Sequence, residues 1–262
     1  MIPTSEAASQ LHRALGCPIY NGTLRKETGD GKLDYEVHLR TRELLAPQAP
    51  AAELVVPDEL LFQILHQTQE LSLKCAAFET ATRVEHLDRE DLFGTLSALY
   101  RILLIPRALG EEIRIMFTLS PSSFHVIRRS LGNGSGLESP GYDQILAAAE
   151  ASMRTVERLL DRHETSLLAI YGTPEMSPEL YRVLERFVDW DTAFQSWLVE
   201  HFMLVRRTLG IDKAVPALDG FPAMALGARM TRPLFPALWS VRVQMSRAWA
   251  RDGGHAPGKE RV

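Results

Sequence analysis

An all-α fold is predicted by three features of this 262-residue sequence. Apolar residues recur at helical intervals in most segments rather than in strict alternation. No pair of β-branched runs flanks an Asn-Gly or Asp-Gly turn, so the hairpin signal is absent. Ser120-Pro121 and Ser177-Pro178 each place an N-cap side chain before a proline at the first helical position, where the missing N–H has no intrahelical partner to lose.

The elements follow in order. Gly16, Pro18, Gly22, Gly29 and Gly31 interrupt any period before residue 32, so 1–32 is expected to be an irregular N-terminal segment. A short helix is expected from Leu33 to about Leu45. Pro57, Asp58 and Glu59 form a first turn with acidic groups at the positive end of the dipole, opening a helix through about Val84. Asp88 is expected to cap a helix running past Tyr100, which Pro106 ends or kinks. The helix capped by Ser120 stops near Leu131. Gly132-Asn133-Gly134-Ser135-Gly136 then reads either as a flexible linker or as a loop whose backbone closely approaches a neighbour or ligand. Helical period returns over about Tyr142 to Tyr171, and most clearly from Ser177 to a C-terminal stop at Gly210. Between Ala214 and Pro236 six residues are Gly or Pro, which predicts a loop or lid before a last helix around Leu238 to Ala248. Residues 33–250 are therefore expected to form a single helical domain, with 251–262 a disordered tail.

Composition narrows the function. Hydrophobic residues make up 45% and charged residues 24%, the balance of a chain that buries a core. The net charge of −4 supplies no basic field, so neither nucleic acid nor a membrane is an expected partner. Cys17 and Cys75 form no CxxC pair, which predicts two free thiols and no structural zinc. The longest stretch without Asp, Glu, Lys or Arg, Ile115 to Ile127, is too short to span a bilayer, and the N-terminus lacks a basic start followed by an apolar run. A cytoplasmic protein is expected.

Eight histidines occur, none within five residues of another, so HExxH and Cys/His zinc patterns are absent. His201 continues a stripe with Phe187 and Phe194 at seven-residue spacing, and His66 lies one helical turn after Phe62. Each reads as a core histidine held by a hydrogen bond or as a ligand. A single imidazole from an apolar helical pocket suffices for haem iron, because the porphyrin supplies the other four ligands. Arg128 and Arg129 end the helix beside the glycine loop, where a guanidinium suits a carboxylate or a haem propionate, and equally suits solvent. The two point about 100° apart, so only one is expected to face a pocket. No GxSxG, P-loop or strand-linked GxGxxG is present.

Several segments taken together resemble the tryptophan 2,3-dioxygenase family of haem-dependent aromatic oxygenases. They are Asp58-Glu59-Leu60-Leu61-Phe62-Gln63-Ile64-Leu65-His66-Gln67-Thr68-Gln69-Glu70-Leu71, then Leu119-Ser120-Pro121 with Arg128, and Leu131-Gly132 ahead of Ser135-Gly136. Phe194-Gln195-Ser196-Trp197 with His201, and Leu234-Phe235-Pro236 with Val241-Arg242, complete the series in the family's order.

The resemblance implies a helical bundle enclosing a b-type haem, with O2 as co-substrate. His201 would be the proximal iron ligand, His66 the catalytic distal residue, and Phe62 a wall against the substrate ring. Arg128 would bind the substrate carboxylate, and Ser135 would lie beside haem. Tyr35 matches a residue that reaches into a neighbouring subunit's pocket, implying a homo-oligomer, a dimer or tetramer. Phe124, also expected to touch substrate, stands where the family has tyrosine, and Ser72 stands where it has tryptophan. The family's Gly/Thr-rich loop, which helps hold the substrate ammonium, falls on 214–220, where Asp219 is the lone side-chain acceptor. Either Asp219 pairs with the amine, or the substrate's amine is modified or missing. The implied activity is oxygenation of an indole or tryptophan-like substrate. Hydroxylation of an aromatic amino-acid derivative in a natural-product pathway, or a non-catalytic helical binding protein, are the alternatives.

Overall fold

Caps and left-handed residues punctuate the chain more finely than glycine and proline alone indicate. The computed structural model describes residues 5–15, 22–29, 31–132, 136–210, 227 and 232–248. The N-terminal segment expected to be irregular instead carries α1 (Glu6–Leu15) and α2 (Gly22–Thr28). Ser5 Oγ accepts from Ala8 N–H at 3.1 Å, a side-chain cap at the start of α1. The single helix expected over 33–45 is two, α3 (Asp34–Leu39) and α4 (Thr41–Leu44), because Arg40 adopts φ 52° and breaks the ladder. Glu36 on α3 is buried and accepts from Arg25 at 2.6 Å, which ties α2 to α3.

Next, α5 (Asp58–Asp88) runs four residues beyond its expected end, and α6 (Leu92–Met116) is capped by Asp91, not Asp88. The Asp91 carboxylate accepts from Gly94 N–H at 2.8 Å, whereas Asp88 receives Arg158. Pro106 sits inside α6 without ending it, buried among Ile102, Leu103, Leu109 and Gly110. Packing on two sides sustains the helix through the missing hydrogen bond. By length and composition α6 could cross a membrane, its most apolar window having a mean hydropathy of 1.4. Here its apolar side packs between α5 and the long helix of the chain's second half.

The short α7 (Pro121–Ser130) begins as expected, with Ser120 Oγ accepting from Ser123 N–H at 3.0 Å. The stretch expected to be one helix over 142–171 divides into α8 (Pro140–Arg162) and α9 (Leu167–Gly172), because Glu164 adopts φ 48°. Then α10 (Pro178–Leu209) stops at Gly210, which takes φ 72°. Finally α11 (Pro236–Ala248) begins at the proline. The expected tail 251–262 and most of the expected 214–236 loop lie outside the described residues.

Side-chain bridges fix the directions. Glu70 pairs with Ser139 and Asp88 with Arg158, so α8 runs parallel to α5. Arg114 pairs with Glu200 and Arg207 donates to Phe117 O, so α10 runs parallel to α6. The three-residue link from α5 to α6 makes those two antiparallel. The four long helices therefore alternate in direction along the chain, while in space the neighbours α5 and α8 are parallel, as are α6 and α10, around one core containing Leu73, Leu99, Ile102, Ile113, Val156, Phe187, Trp190 and Phe235. Asp191, fully buried on α10, accepts from the N–H groups of Leu234 and Phe235 at 3.1 Å each and from Trp239 Nε1 at 2.7 Å. That carboxylate seats the start of α11 on the bundle.

Candidate active site

One end of the bundle collects the candidate residues. It is built from the first turns of α5, from α7, from the 3₁₀ turn Gly136–Glu138 and from the last third of α10. On α5, Phe62 and His66 lie one turn apart with ring centroids 4.1 Å apart. His66 Nδ1–H donates to Phe62 O at 2.7 Å, since a carbonyl can only accept. That bond fixes the neutral tautomer and leaves Nε2 as an acceptor. Burial lowers the His66 pKa, opposed by the Phe62 carbonyl and the Glu70 charge. The ring is nonetheless open to solvent. Phe62 and His66 thus form an aromatic wall that solvent reaches. Phe124 on α7 continues that wall, its centroid 6.3 Å from Phe62, and Arg128 follows one turn later on the same face.

His201 comes from α10 and closes the stripe of buried Phe187 and Phe194. Trp197, one turn earlier, packs edge-on against Phe194 at 5.4 Å, and Tyr142 of α8 stacks on Phe194 at 5.8 Å. The backing is therefore rigid and aromatic. The His201 ring is half-buried, and among the described residues neither nitrogen makes a hydrogen bond. Burial drives its pKa down to about 4, with the neighbouring His66 adding to the effect. The two imidazoles are thus close enough for a charge on one to disfavour a charge on the other. A hydrogen-bonded core histidine, one of the two sequence readings, is not what forms. His201 is a neutral imidazole with an unused lone pair, the form that ligates metals. Gly136 faces it: a Cβ there would stand 3.7 Å from His201 Nε2, filling space in front of the nitrogen.

The other expected residues divide. A cleft of about 420 Å³ is bordered by His125, Arg128, Arg129 and Gly132. Both arginines border this cleft, which none of Phe62, His66, Phe124 and His201 lines. Burial separates them: Arg128 is half-buried and Arg129 exposed. Tyr35 projects from α3 and is 65% exposed, with no ring contact or hydrogen bond to the group within one chain. Ser135 and Asp219 lie outside the described residues.

Glu70 was missed from sequence. It accepts from Ser139 Oγ–H and from Gly141 N–H, the latter at 2.9 Å. The Ser139-Pro140 step, an N-cap followed by an N1 proline like Ser120-Pro121, was the available signal for where α8 begins.

Among the described residues no three His, Cys, Asp or Glu side chains are placed to hold a bare metal ion. A single unengaged imidazole in an aromatic-backed concavity can instead complete the coordination of a metal that arrives with its own ligands.

Comparisons with known proteins agree with this architecture. The family model for tryptophan 2,3-dioxygenase matches residues 21–149. A tryptophan 2,3-dioxygenase of Anaeromyxobacter dehalogenans is 32% identical, over 80% of this chain and 95% of its own length. That of Saccharopolyspora erythraea is 29% identical over 82% and 93%, and that of Paraburkholderia phytofirmans 27% identical over 88% and 96%. With a 32% identical relative covered almost end to end, this chain belongs to the tryptophan 2,3-dioxygenase family of enzymes.

Proposed function

We propose that this enzyme binds haem b through His201 and uses O2 to oxygenate an indole-bearing acid, tryptophan or a close relative. The observation that carries the reading is His201: a half-buried, neutral imidazole with no hydrogen bond among the described residues, facing a glycine and backed by aromatic rings. Its donor set fits haem, since one protein nitrogen is enough, and does not fit a bare iron site, which needs several side chains. With Cys17 and Cys75 far apart and no CxxCH present, covalent attachment has no support, which favours the b type.

Bound there, haem would supply the iron centre at which O2 is activated. The chain's own residues supply the rest. Phe62 and Phe124 offer two adjoining tilted apolar faces against which a flat ring would be oriented. His66 Nε2, left as an acceptor by the Nδ1 bond to Phe62 O, can take a hydrogen bond from an indole N–H. Arg128 anchors a carboxylate at the cleft, fixing which edge of the ring is presented. Apolar walls lower the local dielectric and strengthen each of these polar contacts. Tyr35, solvent-exposed in one chain, would complete the site of a second copy in a homo-oligomer.

Turnover with L-tryptophan under isotopically labelled O2 tests the reaction class. Two labelled oxygen atoms in the product support dioxygenation, one supports hydroxylation, and no turnover of any indole acid contradicts the proposal. Parallel binding of indole-3-propionic acid, which lacks the amine, reads the 214–220 segment. If the amine is held, its loss weakens binding by about 1.5–3 kcal/mol, and Asp219→Ala with tryptophan reproduces that loss.

A further inference from the structure

We propose that Glu70 is a positioning residue for this site: one carboxylate fastens the start of α8 to α5 and so sets the gap between the His66 wall and the Gly136 turn that faces His201. The proposal rests on the reading of His66 and His201 as opposite sides of the haem site.

Four observations carry it. Glu70 follows His66 by one helical turn on α5, and its charge acts on that imidazole. Its two oxygens are both engaged by α8: Oε1 accepts from the Ser139 hydroxyl and Oε2 from Gly141 N–H. Ser139 meanwhile accepts from Tyr142 N–H at 3.1 Å, so a single hydroxyl both caps α8 and links it to α5. A carboxylate at a helix N-terminus is also favoured by the dipole. Gly141 records how close the approach is, since a Cβ there would stand 2.7 Å from Glu70 Oε2 and 2.7 Å from Leu73 Cβ. No other residue fits without moving α8 away.

Chain continuity extends the effect to the opposite wall. Gly136 precedes Ser139 by three residues, which span roughly 10 Å at most. The turn in front of His201 is therefore tethered to a point fixed by Glu70. Ser139 and Pro140 alone would start the helix, and the link to Glu70 ties that start by hydrogen bonds to the helix that carries His66. Arg158–Asp88 and Arg83–Ser152 hold the rest of α8 on α5, so losing the Glu70 link would free only the first turn of α8, and with it the Gly136 turn, while each helix stayed intact.

The experiment compares wild type, Glu70→Ala, Glu70→Gln and Gly141→Ala, with Asp91→Ala as a control cap at the far end of α5. Three quantities are read: the rate of haem transfer to apomyoglobin, the C–O stretching frequency of the ferrous CO complex, and the melting temperature. Glu70→Ala and Gly141→Ala are expected to speed haem loss roughly tenfold or more and to shift or broaden the C–O stretch. Glu70→Gln, which keeps an oxygen for Gly141 N–H and an amide for Ser139, should recover most of both. Asp91→Ala should lower the melting temperature while leaving haem loss and the C–O stretch unchanged. Wild-type haem loss and C–O stretch in Glu70→Ala overturn the proposal alone, as does an equal effect from Asp91→Ala. A wild-type chain that takes up no haem overturns the functional reading and this proposal with it.

Discussion

Arg128 and Arg129 are adjacent, carry the same charge and border the same cleft, so what separates them is how much water each can reach. Arg128 is half-buried on the face of α7 that carries Phe124, whereas Arg129 is exposed. An exposed guanidinium gains little from one more partner, while a partly desolvated one gains a charge-assisted bond of about 1.5–3 kcal/mol. Arg128→Ala is therefore expected to weaken binding of an indole carboxylate about 10- to 150-fold, with Arg129→Ala changing it little. Spectral titration of substrate measures both, and equal losses would remove Arg128 from its role. At this scale the sequence was most informative where partners are local. Phe62 and His66 are four residues apart, so helical periodicity alone places their rings together. Glu70 was illegible for the opposite reason: its partners lie 69 and 71 residues away, and no periodicity relates them.

Between elements, the link joining α5, α8 and α10 is a cation with no counter-charge. Arg83 is fully buried over the rings of Phe187 at 4.5 Å and Trp190 at 5.3 Å. It donates to Ser152 Oγ, while Nε and Nη1 have no partner among the described residues. Burial drives its pKa down to about 9. Contact with two aromatic faces returns about 2 kcal/mol when desolvated, less than the several kcal/mol it costs to take an ion out of water. Arg83→Met is thus expected to be at least as stable as wild type, within about 1 kcal/mol. Ser152→Ala, which removes the hydrogen-bond partner and leaves the charge, should lose about 1–3 kcal/mol. Urea unfolding decides, and a loss of several kcal/mol in Arg83→Met would show that the aromatic contacts dominate. The long helices and their order were legible in the sequence, because caps and stripes are local features, whereas α1 and α2 were not. The breaks at Arg40 and Glu164 were not, since each is a non-glycine residue in the left-handed region with no turn residue to announce it. Of the two outcomes expected at Pro106, a helix end is not what forms, because packing against α5 and α10 sustains α6 through it.

Across the whole molecule, the four long helices place His66 and His201 at the same end although 135 positions separate them. With α5 and α10 antiparallel, an early residue on one meets a late residue on the other. The bundle therefore converts two unremarkable histidines into facing groups, one held by Phe62 O and one making no hydrogen bond among the described residues. That asymmetry is the basis for assigning one imidazole to the iron and the other to the substrate. Composition could not reveal it, since the same residues at other helical phases would be ordinary core side chains. The most direct test is the absorption spectrum of the ferrous, haem-reconstituted protein, with and without CO, for wild type, His66→Ala and His201→Ala. The account predicts a histidine-ligated haem spectrum in wild type and in His66→Ala, loss of bound haem in His201→Ala, and its recovery when free imidazole is added. An unchanged Soret band and unchanged CO binding in His201→Ala would contradict it.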